Sequence, residues 1–206
     1  MISFIVPAHN EEIHLGATLR AIRDAAREVG EPFEVIVVDD ASTDRTAAIA
    51  EEQEALIVHV AHRQIAATRN AGARAARGDI LFFVDADTLA NAEAIRAALE
   101  ALRGGAAGGG CVFRFDGTLP SWARVLYPVA VVTARIINLV GGCFLFCTRE
   151  AFEAAGGFCD RFYAAEEAAF IKALKRVGRF VIPGPTVVTS GRKLRTHSAR
   201  QILGTC

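Results

Sequence analysis

The stretch that says most about the fold of this chain is Asp79-Ile80-Leu81-Phe82-Phe83-Val84-Asp85-Ala86-Asp87. An apolar, β-prone run follows a polar turn and ends on two carboxylates. Alternate side chains of an extended backbone share a face, so Asp85 and Asp87 are expected side by side. No basic residue adjoins them in sequence, and their repulsion calls for a cation or a hydrogen-bond donor. The stretch predicts a buried strand leading to a Mg²⁺ or Mn²⁺ site; the alternative is a strand ending in a solvated acidic turn.

Strand and helix patterns alternate upstream and downstream of this stretch. Short apolar runs predict strands, and amphipathic or alanine-rich segments predict helices. The predicted strands are 3–7, 33–38, 56–60 and 80–84, and the predicted helices are 15–29, 47–54, 65–76 and 91–102. This order predicts an α/β fold with a doubly wound, mostly parallel sheet and helices on both faces.

Polar clusters follow three of the predicted strands. They are Pro7-Ala8-His9-Asn10-Glu11, Asp39-Asp40 and Asp85-Ala86-Asp87. Because ligands of such sheets bind beyond the carboxyl ends of the strands, these clusters predict one polar binding site at one rim of the sheet.

The second half of the sequence is less regular. Residues 104–110 are expected to form a flexible Gly/Ala loop, and a strand is expected at 111–115. Residues 121–140 are expected to be partly helical, and Gly141-Gly142 predicts a tight turn before another strand. No segment has the composition of a linker, so residues 1–206 are expected to form a single domain.

Composition narrows the class of protein. With 206 residues, 52% of them apolar, the chain can bury a sizeable core. Its zero net charge argues against a nucleic-acid partner, which would require a surplus of Lys and Arg. The five cysteines are odd in number and form no C-x-x-C pair, which suits reduced thiols in a cytoplasmic protein.

Neither a leader peptide nor a spanning helix is expected from the sequence. The chain enters a strand-like segment without a basic leader. The apolar stretch 125–146 is interrupted by Arg135, Asn138 and Gly141-Gly142, which predicts a buried or membrane-surface segment.

Sequence patterns for nucleotide phosphates are missing after the first strand. Neither G-x-G-x-x-G nor G-x-x-x-x-G-K-[ST] occurs there. The polar groups that stand there instead suit ribose hydroxyls and the imide of a base. Phosphates would then depend on a metal at Asp85 and Asp87, with Arg69 as a cationic helper.

Four motifs resemble those of the family 2 glycosyltransferases, nucleotide-diphospho-sugar transferases of the GT-A fold. They are Val6-Pro7-Ala8-His9-Asn10-Glu11-Glu12, Val37-Val38-Asp39-Asp40-Ala41-Ser42-Thr43-Asp44, Ala67-Thr68-Arg69-Asn70-Ala71-Gly72 and Phe83-Val84-Asp85-Ala86-Asp87. The similarity is dense over the first ninety or so residues. It resumes at Gly156-Gly157-Phe158 and Ala165-Glu166-Glu167.

The resemblance implies a nucleotide-sugar site in residues 1–103. Residues Pro7, Ala8 and Glu11 would line the nucleoside pocket. Asp39 would contact the base, and Asp40 is the alternative, or else a helix cap beside Ser42.

The same resemblance implies three charged residues near the diphosphate. Arg69 would approach the donor, unless it is a surface helix arginine. Asp85 would lie near the ribose or the metal, and Asp87 would bind the divalent Mn²⁺ or Mg²⁺ ion.

Residues 104–206 would then hold the acceptor and the catalytic base. In the family the base is the second acid of an E-D pair opening a helix, and here that pair is Glu166-Glu167. Helical phase, with Phe170 and Ile171 inward, predicts that Glu167 points inward and is desolvated, whereas Glu166 lies nearer the edge. Glu167 is therefore the predicted base, Glu166 the second choice, and two solvated glutamates the alternative.

Two further segments have less specific interpretations. The apolar block 122–140 suits an apolar or lipid-linked acceptor or docking to the inner membrane surface, and equally a core helix or a dimer face. The basic run 190–197 predicts closure over the diphosphate with His197 as a third metal ligand, or a solvated tail.

The sequence thus predicts an inverting, metal-dependent glycosyltransferase that moves a sugar from a UDP- or GDP-linked donor to a hydroxyl acceptor. A sugar nucleotidyltransferase is disfavoured, because its glycine- and cation-rich loop is missing after the first strand. A non-catalytic nucleotide-sugar or partner-binding module is the remaining alternative, and the Glu at position 167 favours it.

Overall fold

The computed structural model describes residues 1–118, 121–160 and 166–192, apart from several side chains between 121 and 130. The strands are β1 Ile2–Ala8, β2 Phe33–Asp40, β3 Leu56–Val60, β4 Ile80–Val84, β5 Thr88–Leu89, β6 Gly108–Gly110, β7 Val112–Phe115, β8 Phe144–Thr148, β9 Phe180–Val181 and β10 Thr186–Thr189. The helices are α1 Leu15–Val29, α2 Thr46–Glu52, α3 Ile65–Ala75, α4 Ala92–Arg103, α5 Ser121–Ile136, α6 Arg149–Ala154 and α7 Glu166–Val177.

A central sheet has the strand order β3-β2-β1-β4-β8-β6-β9. Strands β1 to β4 pair in parallel, as do β6 and β9, whereas β8 runs antiparallel to both neighbours. The predicted mostly parallel sheet with helices on both faces is confirmed.

Alternating side chains of the central strands feed two hydrophobic cores. Phe4 and Phe82 point to one face, where α1, α2 and α4 pack, whereas Ile5 and Phe83 point to the other, under α3, α6 and α7. This arrangement follows from the period-two alternation of strand side chains. It leaves the carboxyl ends of β1, β2 and β4 at one rim.

A second, three-stranded sheet has the order β5-β10-β7. Strand β5 starts directly after Asp87 and pairs with β10, so the Asp87 carbonyl accepts a hydrogen bond of 3.1 Å from Ser190 N. The small sheet thereby brings the segment around residue 190 to the acidic turn.

The expected loop at 104–110 is partly wrong, because Gly108–Gly110 forms β6 inside the central sheet. A Cβ at Gly109 would lie 2.2 Å from the Val181 carbonyl oxygen and 2.4 Å from Phe146 Cζ. Glycine is unfavourable in strands in general, and here it is required by the close approach of two neighbours. Propensity therefore predicted a loop where packing demands a strand.

The bounds of one helix also need correction. Helix α2 begins at Thr46 and ends at Glu52, two residues before the predicted end. Its N-cap is Arg45, with no side-chain cap, while Asp44 accepts from the Thr46 backbone N–H at 2.9 Å. The apolar stretch 125–146 divides between α5 and β8. Within the described residues, every helix is too short or too polar to cross a bilayer.

Candidate active site

A cavity of about 350 Å³ opens at the rim where β1, β2 and β4 end. Its lining combines carboxylates, cations and apolar groups: Pro7, Ala8, His9, Glu11, Asp40, Arg63, Gln64, Ile65, Thr68, Asp85, Ala86, Asp87 and Arg192. The three predicted polar clusters therefore do meet at one place.

The turns after the first three strands each contain a residue in the left-handed region. Asn10, Ala41 and Arg63 have φ values of 53°, 54° and 52°. Asparagine tolerates this conformation, whereas alanine and arginine adopt it at a cost that their surroundings must offset. Hydrogen bonds between the turns supply part of that compensation, including Thr43 N to Asn10 Oδ1 at 2.8 Å.

Four residues of the first motif line the cavity, among them the three predicted to line the nucleoside pocket. Pro7 and Ala8 belong to β1, and Glu11 lies in the turn that follows. The Glu11 carboxylate is hydrogen-bonded through Oε1 to Arg192, and its buried Oε2 has no hydrogen-bond partner among the described residues. A buried carboxylate oxygen without a donor costs free energy, and a cation or a hydrogen-bond donor bound beside it would offset that cost.

The two aspartates at the end of β2 have different surroundings. Asp39 is outside the cavity lining; it accepts from Ser42 N at 3.3 Å and lies 3.2 Å from His59 Nδ1. Asp40 lines the cavity but accepts from Arg63 N at 2.9 Å and Thr68 Oγ1 at 2.8 Å. Burial raises the pKa of Asp40, and the hydrogen bonds more than offset it, leaving a lowered pKa. Asp40 thus accepts hydrogen bonds from backbone N–H groups just before α3, and the helix cap predicted beside Ser42 would instead have preceded α2.

The acidic pair after β4 lies in a turn, not on an extended strand, and each carboxylate has a cation. The turn is closed by Thr88 N to Asp85 O at 3.0 Å. Asp85 accepts from Arg69 at 2.8 Å, and Asp87 Oδ2 is 3.6 Å from an Arg192 nitrogen. These cations could not be predicted from the residues next to the turn, because Arg69 and Arg192 lie far from it in the sequence. Burial and the nearby Asp85 charge nevertheless raise the pKa of Asp87.

The chemistry of this turn fits a divalent ion of the Mg²⁺ or Mn²⁺ type. Asp85 and Asp87 offer hard oxygen ligands, and the orphaned Glu11 Oε2 lines the same cavity. Across the described part of the chain, no three His, Cys, Asp or Glu side chains converge as a complete metal cage. Two carboxylates suffice for an ion that takes its other ligands from phosphate and water.

Arg69 does not face the cavity, contrary to the expectation that it approaches the donor. Its side chain is 2% exposed, which also excludes a surface helix arginine. It donates to Asp85 at 2.8 Å, to Glu166 at 3.2 Å and to the Gly142 carbonyl at 3.2 Å. Arg69 therefore lies behind the acidic turn and joins it to the start of α7.

The predicted orientations of the two α7 glutamates are reversed in the structure. Glu166 is the buried member, whereas Glu167 is half-buried. Burial, followed by the neighbouring Glu167 charge, raises the pKa of Glu166. Glu166 lies four and eight residues before Phe170 and Leu174, so it continues their buried stripe. Counting from Ile171 instead misassigned the inward face.

Several cavity residues were not singled out from the sequence. Arg63, Gln64 and Ile65 come from the turn between β3 and α3 and the start of α3. The left-handed conformation of Arg63, which has no sequence signature, places this turn at the rim. Arg192 belongs to the basic run predicted to close over the diphosphate, and it reaches Glu11 and Asp87. His197 and Ala165 lie outside the described residues.

A second cavity, of about 260 Å³, lies between α5 and β7 and is almost entirely apolar. Its lining consists of Val112, Phe113, Phe115, Tyr127, Val131, Ala134, Val140 and Gly141. The adjacent Gly142 is close to both Arg69 and Glu167, since a Cβ there would lie 3.1 Å and 3.2 Å from them. The apolar cavity, which is lined by Gly141, thus lies near Arg69 and Glu167.

Three apolar side chains of α5 are exposed. Val129, Val132 and Ile136 are 63%, 58% and 77% exposed. Exposed apolar side chains in a row on one helix are typical of surfaces that contact other molecules.

Relatives and solved structures share this architecture. An undecaprenyl-phosphate 4-deoxy-4-formamido-L-arabinose transferase from Pseudomonas paraeruginosa is 37% identical over 95 residues, which cover 42% of this chain and 28% of the relative. A putative glycosyltransferase EpsH from Bacillus subtilis is 31% identical over 91 residues, covering 42% and 26%. The chain therefore spans less than a third of the length of these relatives.

The mannosyltransferase PcManGT from Pyrobaculum calidifontis, solved with GDP-Man and Mn²⁺, superposes with a TM-score of 0.72 at 27% identity, over 92% of this chain and 56% of that one. TarS 1-349 of S. aureus, solved with UDP-GlcNAc, has a TM-score of 0.73 at 21% identity, over 96% and 61%, and so supports the GT-A fold alone. The model of the family described as "Glycosyl transferase family 2" matches residues 3–153. The chain belongs to glycosyltransferase family 2 and has the GT-A fold.

Proposed function

We propose that this enzyme is an inverting, metal-dependent transferase that moves a sugar from a UDP- or GDP-linked donor to an acceptor oxygen. The observation that carries the proposal is the Asp85/Asp87 turn in the lining of the rim cavity, joined through Arg69 to Glu166 at the start of α7. A donor in the cavity and an acceptor near α7 would then meet across this turn. Residues 1–103 would bind the donor, and residues 104–206 the acceptor and the base.

The donor would occupy the rim cavity. Pro7 and Ala8 would border the nucleoside, and Asp39 and Asp40 would be the polar groups nearest the base. Asp40 already accepts several backbone and side-chain hydrogen bonds, so Asp39 is the better candidate for direct contact, with the base extending past the cavity lining to reach it. Asp39 lies opposite Ala8 in the parallel register, which supports this placement.

Asp87 and Asp85 would hold the divalent ion, with the donor diphosphate completing its shell. When bound, such an ion stabilises the negative charge that develops on the departing nucleoside diphosphate. The Mn²⁺ present with the mannosyltransferase neighbour supports a divalent ion of this kind. Arg192, which already lies against Asp87 and Glu11, would add a cation on the same side.

Glu167 remains our proposed base, for a reason different from helical phase. Glu166 is buried and bonded to Arg69, so its carboxylate is committed to the interior. Glu167 is half-buried beside Gly142, where an acceptor hydroxyl could reach its carboxylate. A general base must lie within hydrogen-bond distance of the proton it removes.

The acceptor would be apolar or lipid-linked. The cavity under α5 is lined by apolar groups, and the exposed apolar face of the same helix would lie against a membrane surface. The Pseudomonas relative is named for transfer to undecaprenyl-phosphate, which supports a lipid-linked acceptor. With such an acceptor, the protein would act at the cytoplasmic face of the membrane. An acceptor that presents a phosphate oxygen would need no base, because that oxygen is already ionised.

A thermal-shift panel of UDP and GDP, each with and without Mn²⁺, tests the donor site. One of the two should raise the melting temperature, and more so with Mn²⁺, because a ligand that binds only the folded chain stabilises it. Asp87→Asn should remove the Mn²⁺-dependent part of the shift. Arg74→Lys, on the exposed side of α3, is the matched control and should behave as the wild type.

Failure of both nucleotides to stabilise the wild-type protein would contradict the proposal. Binding without any donor hydrolysis or transfer would instead favour the non-catalytic binding module.

A further inference from the structure

Arg69 is among the largest side chains buried in the protein, and it lies between two functional segments. Its guanidinium donates to Asp85 in the turn after β4 and to Glu166 at the start of α7, residues far apart in the sequence. The Gly142 carbonyl, from the turn before β8, accepts a third hydrogen bond. One side chain on α3 therefore contacts three segments that border the site.

The charges around Arg69 do not balance. One guanidinium serves two carboxylates, and its Nε has no hydrogen-bond partner among the described residues. The Phe158 ring lies 5.2 Å from the guanidinium carbon and shields it on one side. Since a buried cation interacts strongly with each neighbouring anion, any change at one carboxylate alters the hold on the other.

The two carboxylates differ in their access to ligands. Asp85 is 31% exposed and lines the rim cavity, whereas Glu166 is 9% exposed and does not line it. A ligand in the cavity can therefore reach Asp85 directly. It can affect Glu166 only through Arg69.

We propose that Arg69 is a positioning residue that couples occupancy of the donor site to the order of the first turn of α7. This inference rests on the proposed function, since it requires a nucleotide and a divalent ion at Asp85 and Asp87. When Asp85 turns toward that ligand, Arg69 keeps Glu166 as its main anionic partner. The Arg69–Glu166 pair then strengthens and holds the turn that carries Glu167.

Coupling of this kind is reciprocal, because each ligand must alter the affinity for the other by the same factor. Donor binding would thus favour acceptor binding and acceptor binding would favour donor binding, with Glu167 held more firmly when a donor is present. A purely structural arginine would hold α7 equally well in the empty and the loaded protein.

Hydrogen exchange separates these two cases without any measurement of catalysis. The amides of Phe170 and Ile171 bond back to carbonyls of the first turn of α7, so their exchange reports its opening. Exchange would be followed in the full chain with Mn²⁺ alone and with Mn²⁺ plus saturating UDP or GDP, whichever binds. In the wild type we expect nucleotide to slow these two amides roughly fivefold or more, the lower end of ordinary coupling.

Arg69→Lys keeps the charge, but a single ammonium cannot reproduce the forked contacts of a guanidinium. In this variant the nucleotide should still bind, and the slowing at Phe170 and Ile171 should disappear. Glu166→Gln removes the charge of the other partner with little change in shape and should have the same effect, even if Arg69→Lys fails to fold. Arg74→Lys, on the exposed side of the same helix, should keep the wild-type response.

The proposal is overturned if the wild type binds nucleotide with no change at α7. It is also overturned if Glu166→Gln retains the full slowing. A wild type that binds neither UDP nor GDP contradicts the proposed function itself, which the binding arm of the same experiment reveals separately.

Discussion

The turn after β4 and the first turn of α7 each carry two acids, and the structure divides both pairs in the same way. One member of each pair, Asp85 or Glu166, binds Arg69. The other member, Asp87 or Glu167, is left to the cavity or to the partly open side of α7. Neighbours in sequence are therefore held differently: an inner pair, Asp85 and Glu166, shares Arg69, and an outer pair, Asp87 and Glu167, faces the cavity or the partly open side of α7.

The two outer acids also differ from each other. Asp87 is 15% exposed, and its pKa is raised by burial and by the Asp85 charge. Glu167 is half-buried beside Gly142. A carboxylate that binds a cation can lie in surroundings that disfavour its charge until the cation binds. A general base must lie within hydrogen-bond distance of the acceptor.

Glu167→Gln gives the sharpest test of this division. If Glu167 is the base, transfer to a hydroxyl acceptor should fall by roughly 10²–10⁴-fold, because an amide cannot take the proton. Nucleotide binding should be unchanged, as calorimetry with UDP or GDP and Mn²⁺ can show. The comparison fails if Glu166→Gln loses transfer while Glu167→Gln keeps it. A small effect of Glu167→Gln with a phosphate acceptor would indicate that no base is needed.

Arg69→Met tests the inner pair. It leaves Asp85 and Glu166 without their shared cation, and removal of one partner from a buried ion pair costs about 3–5 kcal/mol of unfolding free energy. Urea unfolding followed by circular dichroism measures this cost. Arg74→Met, exposed on the same helix, should cost far less. Equal losses for the two variants would mean that the inner pair contributes little.

Asp87→Asn should show the smallest effect, a pH-dependent gain in stability. A carboxyl whose pKa is raised by folding ionises first in the unfolded chain, so its contribution becomes unfavourable as the pH rises above 3.8. The variant should melt above the wild type at neutral pH, and the difference should vanish below pH 3.8. Thermal melts from pH 3 to pH 8 measure it.

Asp40→Asn is the control of opposite sign. The pKa of Asp40 is lowered, so its replacement should destabilise the protein at neutral pH, with the loss fading as the pH falls through that lowered value. A loss of stability on replacing Asp87 would show that its contacts with Arg192 outweigh its burial.

The first hundred residues were predictable because their signals are local. Each strand is a short apolar run, each helix has a clear apolar stripe, and parallel order places the strand ends at one rim. The position of the binding cavity followed from the same reasoning. Residues such as Asp85 and Asp87 could therefore be assigned to that rim before their partners were known.

The later residues were less predictable because their conformation depends on distant neighbours. Gly109 lies in a strand at a point where Val181 and Phe146 leave no room for a side chain, so this strand residue must be glycine. The orientation of Glu166 depends on Arg69, nearly a hundred residues earlier in the chain. Helical phase counted from Ile171 predicted that Glu167 points inward, which was wrong, because the buried stripe through Phe170 and Leu174 continues to Glu166.

The position of β8 has a consequence for how the protein is made. During synthesis, β1 to β4 can pair as soon as residue 84 has emerged, because their connections are local. The outer edge of β4 then stays open until β8, residues 144–148, arrives antiparallel beside it. An open apolar edge invites pairing with other chains. The nascent chain therefore passes through an interval in which it is prone to aggregate, and Glu166 joins Asp85 at Arg69 only after that interval closes.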